Sequence, residues 1–274
     1  MIRVYSITNI LRQFTTNGSQ PVLVMANNHQ DYVCKYPRSA ANFSKPLVNE
    51  YLGSCFLKQW NINTPDIAVV QVKPEHINEE IFNLQPAWFK RPCFGSQYNR
   101  YFQEFDKFVG SSSQNKGIKA NNNFLRTALF DIWVGNDDRN IGNFNLMIDT
   151  TNFNNLVSID HGDIFNTSSI YGGRELYLLS FEDSILSSPL LTKIYTKKTF
   201  YSKVFRTNLE KEYYLCIDRC ERNFAEIIKD LPSEWCDDKP NLSSIVSANL
   251  FNDEWKKNCW KLFLEFIHTN LKTT

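Results

Sequence analysis

The sequence predicts an α+β protein of two lobes, with a small antiparallel sheet and one principal helix over residues 1–94 and a mainly helical part over 95–274. Three observations predict it. Short apolar runs parted by turn residues crowd the N-terminal part, while apolar residues at helical spacing dominate the C-terminal part. Composition supplies the third: 42% hydrophobic and 14% aromatic residues in a 274-residue chain make a sizeable core and exclude a disordered one.

The elements follow in order. "TTNGSQ" is a small polar loop around Gly18. "PVLVMANNHQDYVCKY" is two apolar runs joined by Asn27, Asn28, His29 and Gln30, a hairpin signal. "KPLVNEYLGSCFLKQW" reads as a helix, with Ser44 as N-cap and Pro46 in the first turn, where its missing N–H costs little. Leu47, Tyr51 and Cys55, with Val48 and Leu52, form one broad face. "TPDIAVVQV" is a strand, almost wholly apolar and so buried. "RPCFGSQY", with Pro92 and Gly95, marks the hinge between lobes, and "SSSQNKG" (Ser111–Gly117) is a surface loop. "FLRTALFDIWV" is a buried helix. Further on, Ile217, Cys220, Phe224, Ile227, Ile228 and Leu231 form one helical stripe, and Trp255, Cys259, Leu262, Phe263 and Phe266 another; both read as core.

Other classes are set aside by what the chain lacks. A net charge of +1 gives no global field for nucleic acid or an anionic membrane. No apolar run is long enough for a bilayer, and "MIRVYSITN" lacks the shape of a signal peptide. Seven cysteines, an odd number without paired spacing, fit reduced thiols and a cytoplasmic home. Cys216 and Cys220 sit at i,i+4 spacing without a second ligand pair, so they read as core residues and not a metal clip.

The chemistry gathers where the buried helix ends. "GNDDRNIGNFNL" packs carboxylates, an arginine and asparagines into one short stretch. "NLMID" and "LVSID" follow as two strands of a hairpin. If Leu146 and Ile148 share the core face with Val157 and Ile159, alternation puts Asn143, Asn145, Ser158 and Asp160 on the other. In the simplest register Asn145 opposes Asp160, and Asn143 and Asp160 converge at the open end of the hairpin. Two such oxygen ligands suit Mg²⁺, a hard ion held by few protein groups beside substrate phosphates. Asp138 then stands where a carboxylate takes the proton of an attacking hydroxyl. A base, a four-residue gap, an amide ligand, a short hairpin and a second acid form the pattern of protein kinases, whose D-F-G reads here as Asp160-His161-Gly162. His161 reads as a hydrogen-bonded loop residue. A kinase also needs partners earlier in the chain. Lys35 is the charged residue of an apolar strand and requires a partner or an exit to water. Glu50, on the next helix, can pair with it, and the turn at Asn17–Gln20 can offer N–H groups to phosphates. Each signal alone has a bland reading as a turn, a strand edge or a solvated helix face; their order, once each along the chain, favours the kinase.

On these residues the chain resembles the HipA-like kinases, particularly the short stand-alone branch. "YVCKY", "LVNEYLGSCFLKQWNINTPDIAVV", "CFGSQY", "VGNDDRNIGNFNL" and "SIDHG" carry the resemblance. "GNDDRNIGN" with "IDHG" is also similar to the motif pair of phosphoinositide kinases. The resemblance implies an ATP- and Mg²⁺-dependent serine/threonine protein kinase. In it Asp138 is the catalytic base, Asn143 and Asp160 hold metal, Lys35 binds phosphate, Glu50 pairs with Lys35, and Gly18 and Ser19 cover the phosphates. Ser19 is the matching candidate for autophosphorylation. A protein substrate and an antitoxin-like or operon partner are the implied partners; a lipid or small-molecule kinase and an inactive nucleotide-binding module are the rivals. Asn140 stands where related kinases carry His, and Asn cannot shuttle a proton, so only a mechanism built on Asp138 is compatible. Lys35 comes so early that the extra N-terminal domain of the HipA toxin is expected to be absent.

Overall fold

Strict alternation of buried and half-buried residues in "VLVMA" and "DYVCK" makes two strands with one face packed inward. The computed structural model of the protein describes residues 2–15, 20–37, 43–78, 82–105, 122–151 and 155–273. Gly18, Ser19 and the Ser111–Gly117 loop lie outside them.

Five strands close into a barrel: β1 (Arg3–Gln13), β2 (Val22–Ala26), β3 (Asp31–Lys35), β4 (Ile67–Gln71) and β5 (Cys93–Gln97), in the order β1-β2-β3-β5-β4. β4 completes the ring by running parallel to β1, with Arg3 opposite Ala68. The expected small antiparallel sheet is therefore corrected to a closed barrel with one parallel pair. The closing strand is one that apolar alternation does not reveal. β1 carries register breaks between Ile7 and Asn9 and between Ile10 and Arg12, and bulges of this kind erase the period of two. Gly95, in the segment expected to hold the hinge, has a role in the barrel. It lies within β5, opposite Cys34 and Ala68, and a Cβ there would stand 2.5 Å from Val70 Cγ2. The close approach of the Val70 side chain inside the barrel calls for glycine at this position.

The barrel interior holds Val22, Val24, Ala26, Cys34, Val70 and Cys93, all fully buried. Alternation turns Val33 and Lys35 to the outer face, where Phe94 and Ser96 of β5 join them. Helix α1 (Lys45–Gln59) runs past this face. Residues all round α1, from Leu47 to Leu57, are buried, so packing and not amphipathicity holds it. A fully buried Leu or Phe contributes about 1.5–3 kcal/mol. Ser44 occupies the N-cap without a side-chain cap bond, and Pro46 fills the first turn as expected.

After the short strand β6 (Phe102–Glu104), helix α2 (Asn123–Val134) is buried except at Arg126. It stops at Gly135, whose φ of 61° makes the left-handed cap that suits glycine. Strands β7 (Leu146–Asp149) and β8 (Leu156–Ser158) join β6 in a second sheet. The segment α3 (Ile164–Ser168) is a turn whose Phe165, Asn166 and Thr167 have φ of 63°, 48° and 53°. Left-handed backbone costs about 1–2 kcal/mol at each residue with a β-carbon.

The rest is helical: α4 (Leu190–Ile194), α5 (Lys197–Tyr201), α6 (Lys203–Asp230), α7 (Lys239–Leu250) and α8 (Asp253–Thr273). Both predicted stripes are core. Ile217, Cys220, Phe224, Ile227 and Ile228 of α6 are buried, as are Cys259, Phe263 and Phe266 of α8, with Trp255 and Leu262 partly so. Tyr51 of α1 donates to Ile227 O at 2.8 Å, and Trp60 stacks on Trp133 at 5.6 Å, so α1, α2 and α6 share one core. All seven cysteines are free thiols. Among the described residues no helix is long and apolar enough to cross a membrane.

Candidate active site

A cleft of about 540 Å³ lies between the outer face of β3–β5, α1 and the β7–β8 hairpin, within the range of small-ligand pockets. Val33, Phe94, Met147 and Ile159 give it apolar walls, and Lys35, Glu50, Asn143 and Asp160 line it as well.

Lys35, the last residue of β3, reaches Glu50, its expected partner, and also Asp160. Its Nζ hydrogen-bonds Glu50 Oε1 and lies 2.5 Å from Asp160 Oδ1. The other Glu50 oxygen accepts the backbone N–H of His161 at 3.1 Å. One α1 carboxylate thus holds the strand lysine and the backbone beside Asp160 together. Burial works against ionisation of all three groups. For Lys35 the two carboxylates outweigh it and raise the amine's pKa. For Asp160 the charge of Lys35 outweighs burial and holds the carboxyl at about 2. Glu50 is the most enclosed, and burial raises it despite Lys35.

Asp138 sits in the loop after α2. Its Oδ2 accepts from Asn143 Nδ2 at 2.8 Å and from Asn145 Nδ2 at 3.1 Å. Two amides on one oxygen fix the carboxylate's orientation. Asn140 closes the intervening turn: its Oδ1 accepts from Gly142 N at 2.9 Å, and its backbone pairs both ways with Asn143.

The structure brings Asn145 and Asp160 to one end of the hairpin by another route than the expected one. Leu146 pairs with Ser158 and Ile148 with Leu156, one residue out of the simplest register. Leu146, Ile148 and Leu156 pack in the core, with Ser158 buried beside them, whereas Ile159 lines the cleft. Asn145 and Asp160 leave their strands at φ of 45° and 56°. Beyond the strands, positive φ and not alternation sets their directions: Asn145 turns to Asp138 and Asp160 to Lys35. Asn and Asp tolerate this region better than other residues with a β-carbon.

Residues the motif reading did not single out hold the site in place. Arg139, wholly buried, sets Nη1 2.5 Å from Asp131 Oδ1 and donates from Nη2 to Ile159 O at 2.7 Å. The same Nη2 lies 3.1 Å from His161 Nδ1. Arginine has only donors, so Nδ1 accepts and the imidazole is neutral. Burial, then the Arg139 charge, pushes His161 well below its usual range. His161 therefore is the hydrogen-bonded residue expected, and it packs on α1. A Cβ on Gly53 would stand 2.5 Å from His161 Cβ, so only glycine admits the ring there. Asp131 carried a readable signal. A carboxylate inside the apolar run "FLRTALFDIWV" needs a buried partner, by the argument that singled out Lys35.

The donor set fits the ligand that the motifs imply. Asn143 gives its amide nitrogen to Asp138, which leaves its carbonyl oxygen as a donor to a hard cation, and Asp160 is an ionised oxygen donor lining the same cleft. A strand lysine paired to a helix glutamate and a second acid, with a loop carboxylate held by two amides of the same cleft, defines the class: a kinase-type phosphotransferase. The family described as HipA-like kinase matches residues 7–259, and the chain belongs to it. Among solved structures, the crystal structure of the Helicobacter pylori proinflammatory kinase CtkA is similar at TM-score 0.52 and 12% identity, covering 99% of this chain and 100% of that one. The open conformation of CtTel1 matches at TM-score 0.37 and 10% identity, over 92% of this chain and 11% of the other. Curated proteins contain no match.

Proposed function

We propose that the chain is an ATP- and Mg²⁺-dependent serine/threonine protein kinase of two lobes, divided near residues 94 and 95, with the nucleotide in the cleft between them. The observation that carries this reading is the double contact of Lys35 with Glu50 and Asp160 in a cleft whose Asn143 and Asn145 also hold Asp138. Serine/threonine specificity comes from the family resemblance, as does the role of Gly18 and Ser19 over the phosphates.

Bound Mg-ATP would supply the phosphoryl group and neutralise its charge; Asn143 and Asp160 are the residues that would hold the metal, and Lys35 the phosphates. The residues' own work is positioning. Glu50 keeps Lys35 in the cleft. Asn143 and Asn145 orient Asp138 so that its other oxygen would take the proton of the acceptor hydroxyl, whose own oxygen would bond to the γ-phosphorus as the bond to ADP breaks. Placement of this kind accounts for much of the rate of phosphoryl transfer.

The test is incubation of purified protein with Mg-ATP, followed by intact mass and peptide mapping. Added phosphate that disappears in Asp138→Asn, while the variant keeps its thermal shift with Mg-nucleotide, is the expected result. No thermal shift with Mg-ATP, together with no phosphate on the protein or on candidate protein substrates, would sink the reading. A shift without transfer would identify a nucleotide-binding module.

A further inference from the structure

The left-handed turn that follows Asp160 has no part in the chemistry above. Phe165, Asn166, Thr167 and Ser168 have φ of 63°, 48°, 53° and 66°, although none is glycine. Each step is disfavoured for a residue with a β-carbon, so the run persists only where its surroundings over-determine it.

Two side chains do so from opposite sides, and each is the immediate neighbour of a site residue. Asn49 precedes Glu50 on α1 and is fully buried. Its Nδ2 donates to Gly162 O at 2.7 Å, Ser168 Oγ at 2.9 Å and Ile164 O at 3.2 Å, while its Oδ1 accepts from Tyr171 OH at 2.7 Å. Asp137 precedes Asp138. Its Oδ1 accepts from Thr167 Oγ1 at 3.0 Å and its Oδ2 from Tyr177 OH at 3.3 Å. Between them Asn166, itself buried, donates its backbone N–H to Gly135 O at 2.7 Å. Its side chain pairs with the Tyr177 backbone, accepting at 3.0 Å and donating at 3.2 Å. The turn is thus fastened to the helix that holds Lys35 and to the loop that holds the base.

We propose that Asn49 and Asp137 are positioning residues: they keep the Phe165–Ser168 turn left-handed and so keep Asp160 in register with Asp138. This rests on the kinase reading above. Losing either clamp lets the turn relax toward right-handed backbone. The shift passes through Gly162, which Asn49 holds, to Asp160, whose own φ is 56°. Lys35 keeps its bond to Glu50 and the apolar walls of the cleft lie outside the turn, so the fault falls more on metal placement and turnover than on nucleotide capture.

The experiment compares wild type with Asn49→Ala, Asp137→Ala and Asp137→Ala/Thr167→Gly in the full chain. Both single variants are expected to lower kcat about ten- to a hundredfold, since misplacement of about 1 Å suffices for the larger loss. KM for ATP should change little, and the Mg²⁺ concentration for half-maximal rate should rise. Adding Thr167→Gly to Asp137→Ala should recover most of kcat, because glycine holds positive φ without a clamp. Wild-type turnover in the single variants, or a kcat loss that the glycine fails to restore, overturns the proposal. A second readout needs no turnover: the extra thermal shift that Mg²⁺ adds to ADP-bound protein should shrink in both single variants while the shift with ADP alone persists. If wild type transfers no phosphate, the kinase reading fails by itself, and an unchanged Mg²⁺ increment would overturn the clamp separately.

Discussion

Replacing Arg139 by methionine tests how the site is built. The guanidinium is wholly buried, its Asp131 partner nearly so, and their atoms lie 2.5 Å apart. Removing one member of such a pair leaves the other charge without water or partner, a loss of about 3–5 kcal/mol. At about 2–4 °C per kcal/mol for a chain near this length, Tm should fall by about 6–20 °C. The pH dependence carries a signature. Burial raises the Asp131 carboxyl from 3.8 to about 6, against the pull of Arg139 and Asn136. An acid raised on folding adds stability that is complete below its unfolded value and is lost as pH climbs through its folded value. Without Arg139 the folded value rises further, so the deficit should be smallest in acid and grow as pH passes about 6. The assay is denaturant unfolding followed by circular dichroism, at about pH 5 and about pH 8, on either side of that window. Asp131→Leu/Arg139→Met should regain most of the stability, because an apolar pair of similar volume replaces a buried ion pair with little loss. It should not regain phosphoryl transfer, since the contacts to Ile159 O and His161 Nδ1 stay broken. A deficit below about 1 kcal/mol, or one that ignores pH, would refute a buried, paired Arg139.

Lys35→Ala removes the cation shared by Glu50 and Asp160 and should weaken nucleotide binding by about 1.5–3 kcal/mol, on the order of ten- to a hundredfold in Kd by calorimetry; unchanged affinity would mean that the lysine is only a strand-edge residue. Gly53→Ala puts a Cβ 2.5 Å from His161 Cβ. Overpacking of about 1–3 kcal/mol should exceed the helix-propensity gain of about 1 kcal/mol, and a variant more stable in urea than wild type would disprove the close packing of His161 on α1. Asn145→Ala removes one of two amides from Asp138 Oδ2, a loss of about 1.5–3 kcal/mol in orienting the base. Its kcat should fall with little change in Mg²⁺ requirement, whereas Asn143→Ala should change both; identical profiles for the two would contradict the separate roles.

Much of the site was legible in the sequence because its chemistry needs charged or amide residues where apolar ones are the rule. Lys35 in an apolar strand, Glu50 on the next helix, and the D-x-x-x-x-N step from Asp138 to Asn143 are local patterns, and the structure brings Lys35, Glu50 and Asp160 into contact. The helices were legible for the same reason, since the α6 and α8 stripes repeat at one period over many turns. Asp131 obeyed the rule for Lys35 and passed unread, because its partner Arg139 lies outside the apolar run that displays it.

What the sequence determined by itself was therefore the main helices, the strands from β2 to β4, the residue types of the site and the family to which they lead. Tertiary structure alone decided the rest. Closure of the barrel by β1 depends on a parallel pairing with β4, across a separation that no local period reports. The hairpin register, one residue from the simplest, was set by which face the core could fill, with Leu146, Ile148 and Leu156 packed and Ile159 left to the cleft. The left-handed exits at Asn145 and Asp160, and the turn from Phe165 to Ser168, exist because distant groups hold them. Backbone that is locally unfavourable cannot be read from local preference; only the contacts that over-determine it say where it will occur.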